Sequence, residues 1–172
     1  MKTIDALKTR LTDRNTLQVQ NEDGFVGVVG FEWNSSVTDI EISKFEKENS
    51  LQLPESYKEF LRISNGAILF KDMQYSQWGC KILGLEDLIS TTKKVTEWGY
   101  KLNPSWLVYA TWLGDVDLLI FDLDKYASKE RNYIIDGEQG EPVGNWCNIK
   151  GDFSKWIDRL IISQGAKYWR WY

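Results

Sequence analysis

The chain contains no histidine. That absence removes Ser–His and Cys–His nucleophile pairs, imidazole general bases and every histidine-containing metal site. Cysteine is almost as scarce. Cys80 and Cys147 stand far apart, too few to complete a structural zinc site, and are expected as free thiols in a reducing compartment. No stretch approaches the roughly 18 apolar residues of a membrane span. Met1 to Lys8 lacks the apolar run of a signal peptide, so a cytoplasmic protein is expected. There is no P-loop lysine and no G-x-G-x-x-G between strand and helix, which removes the familiar phosphate and dinucleotide cradles. Net positive charge is missing too. At −4, with a pI near 5.0, direct nucleic-acid binding is disfavoured. What is left for catalysis is carboxylate, Lys, Tyr or Cys chemistry. The expectation is a protein that is not an enzyme and has no cofactor and no metal.

What is present reads as one soluble domain over residues 1–172. Hydrophobic residues make up 42% and charged residues 27%, and three prolines leave no linker. Leu53 to Gly66 (LPESYKEFLRISNG) organises the chain. Pro54 suits a first helical position and Glu55 places a carboxylate where the helix dipole favours it. Tyr57, Phe60, Leu61 and Ser64 recur at i, i+3, i+4 and i+7 and predict a buried stripe. Asn65-Gly66 ends the helix, and the strand-like run Ala67 to Phe70 follows.

Other elements are legible around it. Ile4, Leu7 and Leu11 mark a weak helix over 2–12. Gly24 to Trp33 reads as a strand with a bulge or close approach at Gly27 or Gly30. Thr38 and Glu41 form a capping box, and Trp78 to Leu83 is a strand. Leu85 to Val95 has helical spacing, and Trp106–Trp112 with Val116–Leu123 predicts a hairpin. Asn132 to Ile135 is a short strand, Asp136 to Pro142 a loop. Asp152 caps a last helix whose Phe153, Trp156, Ile157, Leu160 and Ile161 share one face, with Gly165 as its stop. The fold class is α+β, with a mostly antiparallel central sheet and helices packed on one side and at the ends.

Four features carry candidate chemistry. Asp115 and Asp117 share a strand face and would suit a divalent cation, although acids flanking a buried strand more simply keep its ends in water. Nine tryptophans suggest either sugar-stacking surfaces or large core fillers, and the core reading is favoured. The tail Gly165 to Tyr172 holds four aromatics and two cations; it either folds back on the body or meets a partner, and folding back is favoured. Lastly, residues 111–152 carry nine acids and four bases, or −5, whereas residues 153–172 carry four bases and one acid, or +3. A concentrated acidic face attracts a basic partner.

The order of a short capped helix, L-P-x-x-Y-x-x-F-L-x-x-x-N-G (Leu53–Gly66) and an apolar strand resembles the SUKH superfamily, which includes bacterial toxin-immunity proteins and fungal cell-wall synthesis regulators. Trp106 to Ala110, Gly114-Asp115 and the strand Asp117–Asp122 fit its middle, and Phe153 to Ile157 is similar to its closing helix. The resemblance covers about 38–162. Residues 1–36 form a helix–strand extension, and Ala67 stands where a further glycine is common. The family implies an α+β fold and an immunity role: binding and neutralising a cognate toxin, expected to be a basic nuclease. It supplies no catalytic residues. On charge, Asp115, Asp117, Asp136, Glu138 and Glu141 are the expected partner-binding acids, with Trp112 the nearest aromatic anchor. The alternative is a glycan-binding or cell-wall-synthesis regulatory module using exposed tryptophans.

Overall fold

A computed structural model describes residues 1–21 and 24–171. Its described residues form one eight-stranded antiparallel sheet in which each strand pairs with the next in sequence. The strands are β1 (Thr16–Gln20), β2 (Val26–Trp33), β3 (Ala67–Asp72), β4 (Gly79–Ile82), β5 (Trp106–Leu113), β6 (Leu118–Asp122), β7 (Ile134–Gly137) and β8 (Cys147–Ile149). The helices are α1 (Lys2–Lys8), α2 (Asp39–Asn49), α3 (Glu55–Leu61), α4 (Leu85–Glu97), α5 (Leu123–Ala127) and α6 (Phe153–Ile162). This is the α+β architecture expected from sequence.

Local chemistry explains most of the elements. Thr38 accepts from Glu41 N while Glu41 Oε2 accepts from Thr38 N at 2.7 Å, a complete capping box on α2. Asp152 Oδ1 accepts from Lys155 N and starts α6, whose five apolar residues are all buried. In α3, Tyr57, Phe60 and Leu61 are buried, with Ser64 beyond the helix. The helix is shorter than its stripe: Ile63 N and Ser64 N both donate to Phe60 O, so the last turn tightens after Leu61. Pro54 stands one position earlier than expected, at the N-cap. Gly66 adopts φ +86°, and a Cβ there would press on the backbone of Ile82–Gly84.

Asn65 does something its own helix did not suggest. Its Oδ1 accepts from Leu85 N at 2.9 Å, capping α4, where Gly84 has no side chain to offer.

The core lies where α3 and α6 meet the sheet centre. Tyr57 packs edge-on against Phe121 and Phe153, both 5.2 Å away, and Tyr109 stacks on Phe121 at 3.9 Å. The Tyr57 hydroxyl donates to Leu83 O, so the ring is buried with its polar end satisfied. Every residue of β6 is buried, which means both faces of the sheet are covered there. Three short elements escape the sequence patterns: β1, α5 and β8. Five residues or fewer give periodicity too little to work on. A further correction matters for function. Asp136 and Gly137 belong to β7 and not to the following loop, because Leu119 pairs with Asp136 and Leu118 with Gly137.

Candidate functional site

The antiparallel register assembles the site. Pairing β6 with β7 places the turn before β6 beside the end of β7, so Asp117 lies next to Gln139 and accepts its N–H at 2.8 Å. The β5–β6 turn adds Asp115, and β7 with its following loop adds Asp136, Glu138 and Glu141. Asp115, Asp117, Asp136 and Glu138 thus gather at one end of the sheet, while Glu141 lies further along the loop and accepts from Asn145 Nδ2.

Two cations from the tail enter this cluster. After α6, Gln164 (φ +57°) and Gly165 (φ +91°) turn the chain back, and the Gly165 backbone lies directly against the Phe70 ring. Lys167 Nζ then reaches Asp115 and Asp117, both at 2.5 Å. Arg170 makes a two-pronged contact with Asp136 at 2.7 and 2.8 Å, reaches Asp117 at 2.8 Å and approaches Glu138 at 3.5 Å. The Asp117 side chain is 5% exposed. Burial works against its charge, but the Lys167 hydrogen bond, the Gln139 N–H and the nearby Arg170 together hold its pKa below the ordinary carboxylate value. Asp136 acts in the reverse sense and keeps the Arg170 guanidinium firmly charged.

Aromatic rings complete the arrangement. Lys167 Nζ lies 5.0 Å from the Trp112 ring and 5.4 Å from Trp78, whose own centroids are 5.3 Å apart. The ammonium therefore sits in a cage of two indoles and two carboxylates. Trp169 packs against Trp112 and Trp156 and closes the seam from the other side. Trp112 is 1% exposed with the tail in place and forms a wall of the cage. Glu138 and Glu141 remain exposed, Asp115 is partly so, and Asp117 and Asp136 are buried in ion pairs. The tail expectation resolves towards docking on the body, with Tyr172 outside the described residues.

Lys167, Arg170, Trp78 and Trp169 were not singled out as site residues by sequence reasoning. Lys167, Arg170 and Trp169 were visible as members of an aromatic, cationic tail, Trp78 as one of nine tryptophans, and the charge signal was that a +3 segment follows a −5 segment. Elsewhere, Cys80 is a buried free thiol whose pKa burial pushes up, and Cys147 is exposed and free. No group of three or more Cys, Asp or Glu among the described residues is arranged to hold a metal. No described helix is long and apolar enough to cross a membrane.

The model of the SMI1 / KNR4 family (SUKH-1) matches residues 36–159. The chain belongs to this family. The matched span agrees with the sequence pattern over about 38–162. Among similar proteins of Bacillus subtilis (strain 168), the uncharacterized protein YobM is 27% identical over 175 residues, covering 99% of this chain and 90% of YobM. The uncharacterized protein YnaB is 27% identical over 139 residues, covering 81% of this chain and 86% of YnaB. The SUKH-1 match contains all these carboxylates but stops before Lys167 and Arg170. The acids are thus on the family scaffold, and the cations that meet them come from beyond it.

Proposed function

We propose that this SUKH-1 chain is a non-enzymatic cytoplasmic immunity protein that binds and neutralises a basic toxin domain, a nuclease, at the carboxylate end of its sheet. One observation carries the reading: Asp115, Asp117, Asp136 and Glu138 converge on Lys167 and Arg170, four acids around two cations among the described residues, which leaves the patch negative by two charges, with the exposed Glu141 on the loop that follows. Nuclease surfaces must attract phosphate, so an inhibitor with a concentrated negative patch competes for the same surface. The exposed acids Glu138 and Glu141 steer the encounter, and packed aromatic side chains hold the complex. Family membership supports a protein partner in general terms and is silent on which one.

Co-expression with nuclease toxin domains encoded in the same genome tests the reading. Rescue of growth, a stoichiometric complex and loss of nucleic-acid cleavage are expected for one of them. Charge reversal at Glu138 and Glu141 should slow association about tenfold at low salt, with little change in dissociation. An association rate indifferent to both salt and these substitutions would place the toxin elsewhere on the surface.

A second reading has its own observation. Trp78 and Trp171 are 42% and 47% exposed and line one open groove with Arg159, Gln20, Asn21 and Gln164. Indoles flanked by amides suit stacking on sugar rings. Calorimetric titration with cell-wall oligosaccharides, repeated with Trp78→Ala, distinguishes this regulatory module from the immunity protein.

A further inference from the structure

We propose that the tail segment Ala166–Trp171 is a resident stand-in for the partner: Lys167 occupies an ammonium cage, and Arg170 the adjoining carboxylates, that a lysine and an arginine of the partner take on binding. This rests on the reading of the acidic sheet end as the partner site. It adds the chemistry recognised there and the rule that the tail must leave first.

The cage suits an organic cation and here holds a primary ammonium. Trp78 and Trp112 present ring faces at 5.4 and 5.0 Å from Lys167 Nζ, and Asp115 and Asp117 supply the opposing charges. Carboxylates alone would hold any cation, whereas indole faces beside them select an organic one. Trp112 is 99% buried, and its indole N–H has no hydrogen-bond partner among the described residues. The same is true of Trp156 and Trp169, and these three rings meet at Trp169. Of the three, Trp169 belongs to the tail, so closing the tail buries its donor unpaired, a penalty that opening removes.

The backbone carries the same tension. Val116, a β-branched residue, stands at φ +59° in the β5–β6 turn, between the two aspartates that Lys167 grips. The tail contributes no strand to the sheet. It contains only one turn of 3-10 helix, Tyr168–Arg170, beyond the Gln164–Gly165 turn. It can leave without breaking a ladder hydrogen bond.

The test uses the full-length protein and a synthetic peptide of residues 165–171, which presents the same lysine and arginine in trans. Against the K167A/R170A variant, whose socket is vacated, the peptide should bind at least tenfold more tightly than against the wild type. Adding D115N and D117N should abolish that binding. Because the vacated variant is at risk of misfolding, hydrogen exchange on the wild type gives a second readout. Saturating peptide should speed exchange of the Tyr168, Arg170 and Trp171 amides at least tenfold and leave α6 unchanged. Equal affinity for the two proteins, or tail amides indifferent to the peptide, would overturn the proposal. The peptide needs no toxin, so failure to find a neutralised nuclease leaves this result standing, and a negative result here leaves the immunity reading to its own test.

Discussion

The two ends of α6 close the molecule by opposite means. At its start, Phe153 enters a cluster of Tyr57, Phe60, Tyr109 and Phe121, where rings meet edge to face or stacked. Two hydroxyls at that end are used, Tyr57 donating to Leu83 O and Tyr133 accepting from Phe153 N, while that of Tyr109 is buried without a partner. Beyond its finish, the tail is held by ion pairs over a trio of indoles with unpaired N–H groups. The first arrangement depends on area removed from water and is insensitive to salt and pH. The second depends on charge and responds to both. A fold can thus contain a permanent core and a conditional seam within the reach of one helix.

The comparison is broken most directly from the core side. Phe60 is fully buried, and Phe60→Ala should reduce stability by about 3–5 kcal/mol in denaturant unfolding. A loss below about 1 kcal/mol would mean the ring is not core, and the contrast would fail.

The seam should respond less, and in a different way. Asp117→Ala separates Lys167 from Arg170 and should reduce stability by about 2–3 kcal/mol, below the usual range for a broken buried pair because each cation keeps a second carboxylate. Its pH dependence has a definite sign. A carboxyl whose pKa is lowered by folding contributes stability above its unfolded value, near about 4, and loses that contribution as pH falls through the folded value. Acid titration followed by tryptophan fluorescence should therefore show a change below pH about 4 that Asp117→Ala removes. An acid transition identical in the variant would mean that another group controls the seam.

The smallest expected effect sharpens the contrast by testing a polar anchor beside the core. Asn65→Ala deprives α4 of its only side-chain cap and should cost about 1 kcal/mol, with no dependence on pH near neutrality. Thermal unfolding at two salt concentrations would separate the neutral cap on Leu85 N, which salt leaves unchanged, from the Asn65 Nδ2 hydrogen bond to the Glu86 carboxylate, which salt weakens.

Much of this was open to reading along the chain. The α2 capping box, the Tyr57–Phe60–Leu61 stripe, the Gly66 turn and the apolar face of α6 involve residues at most seven or eight positions apart, where helix geometry alone decides who meets whom. The opposed charges of residues 111–152 and 153–172 were equally visible. The burial of Trp112 was not legible for a reason sequence cannot supply: a tryptophan in a β-strand is exposed or buried according to what covers that face. Here the cover is Trp169, fifty-seven positions along the chain from residue 112.

Sequence by itself determined much of the inventory: which of the longer segments are helical, that no imidazole is present, and that acid precedes base. Tertiary structure alone decided the site. Asp117 and Asp136 become neighbours only through the β6–β7 register, where a shift of one residue would turn their side chains to the opposite face. Lys167 and Arg170 reach them only because Gln164 and Gly165 reverse the chain after α6. Local patterns carry information over the few residues that a helix turn or strand pleat spans. Contacts between residues 115 and 167 are decided by how whole elements pack, and that is set by the burial of the core they share.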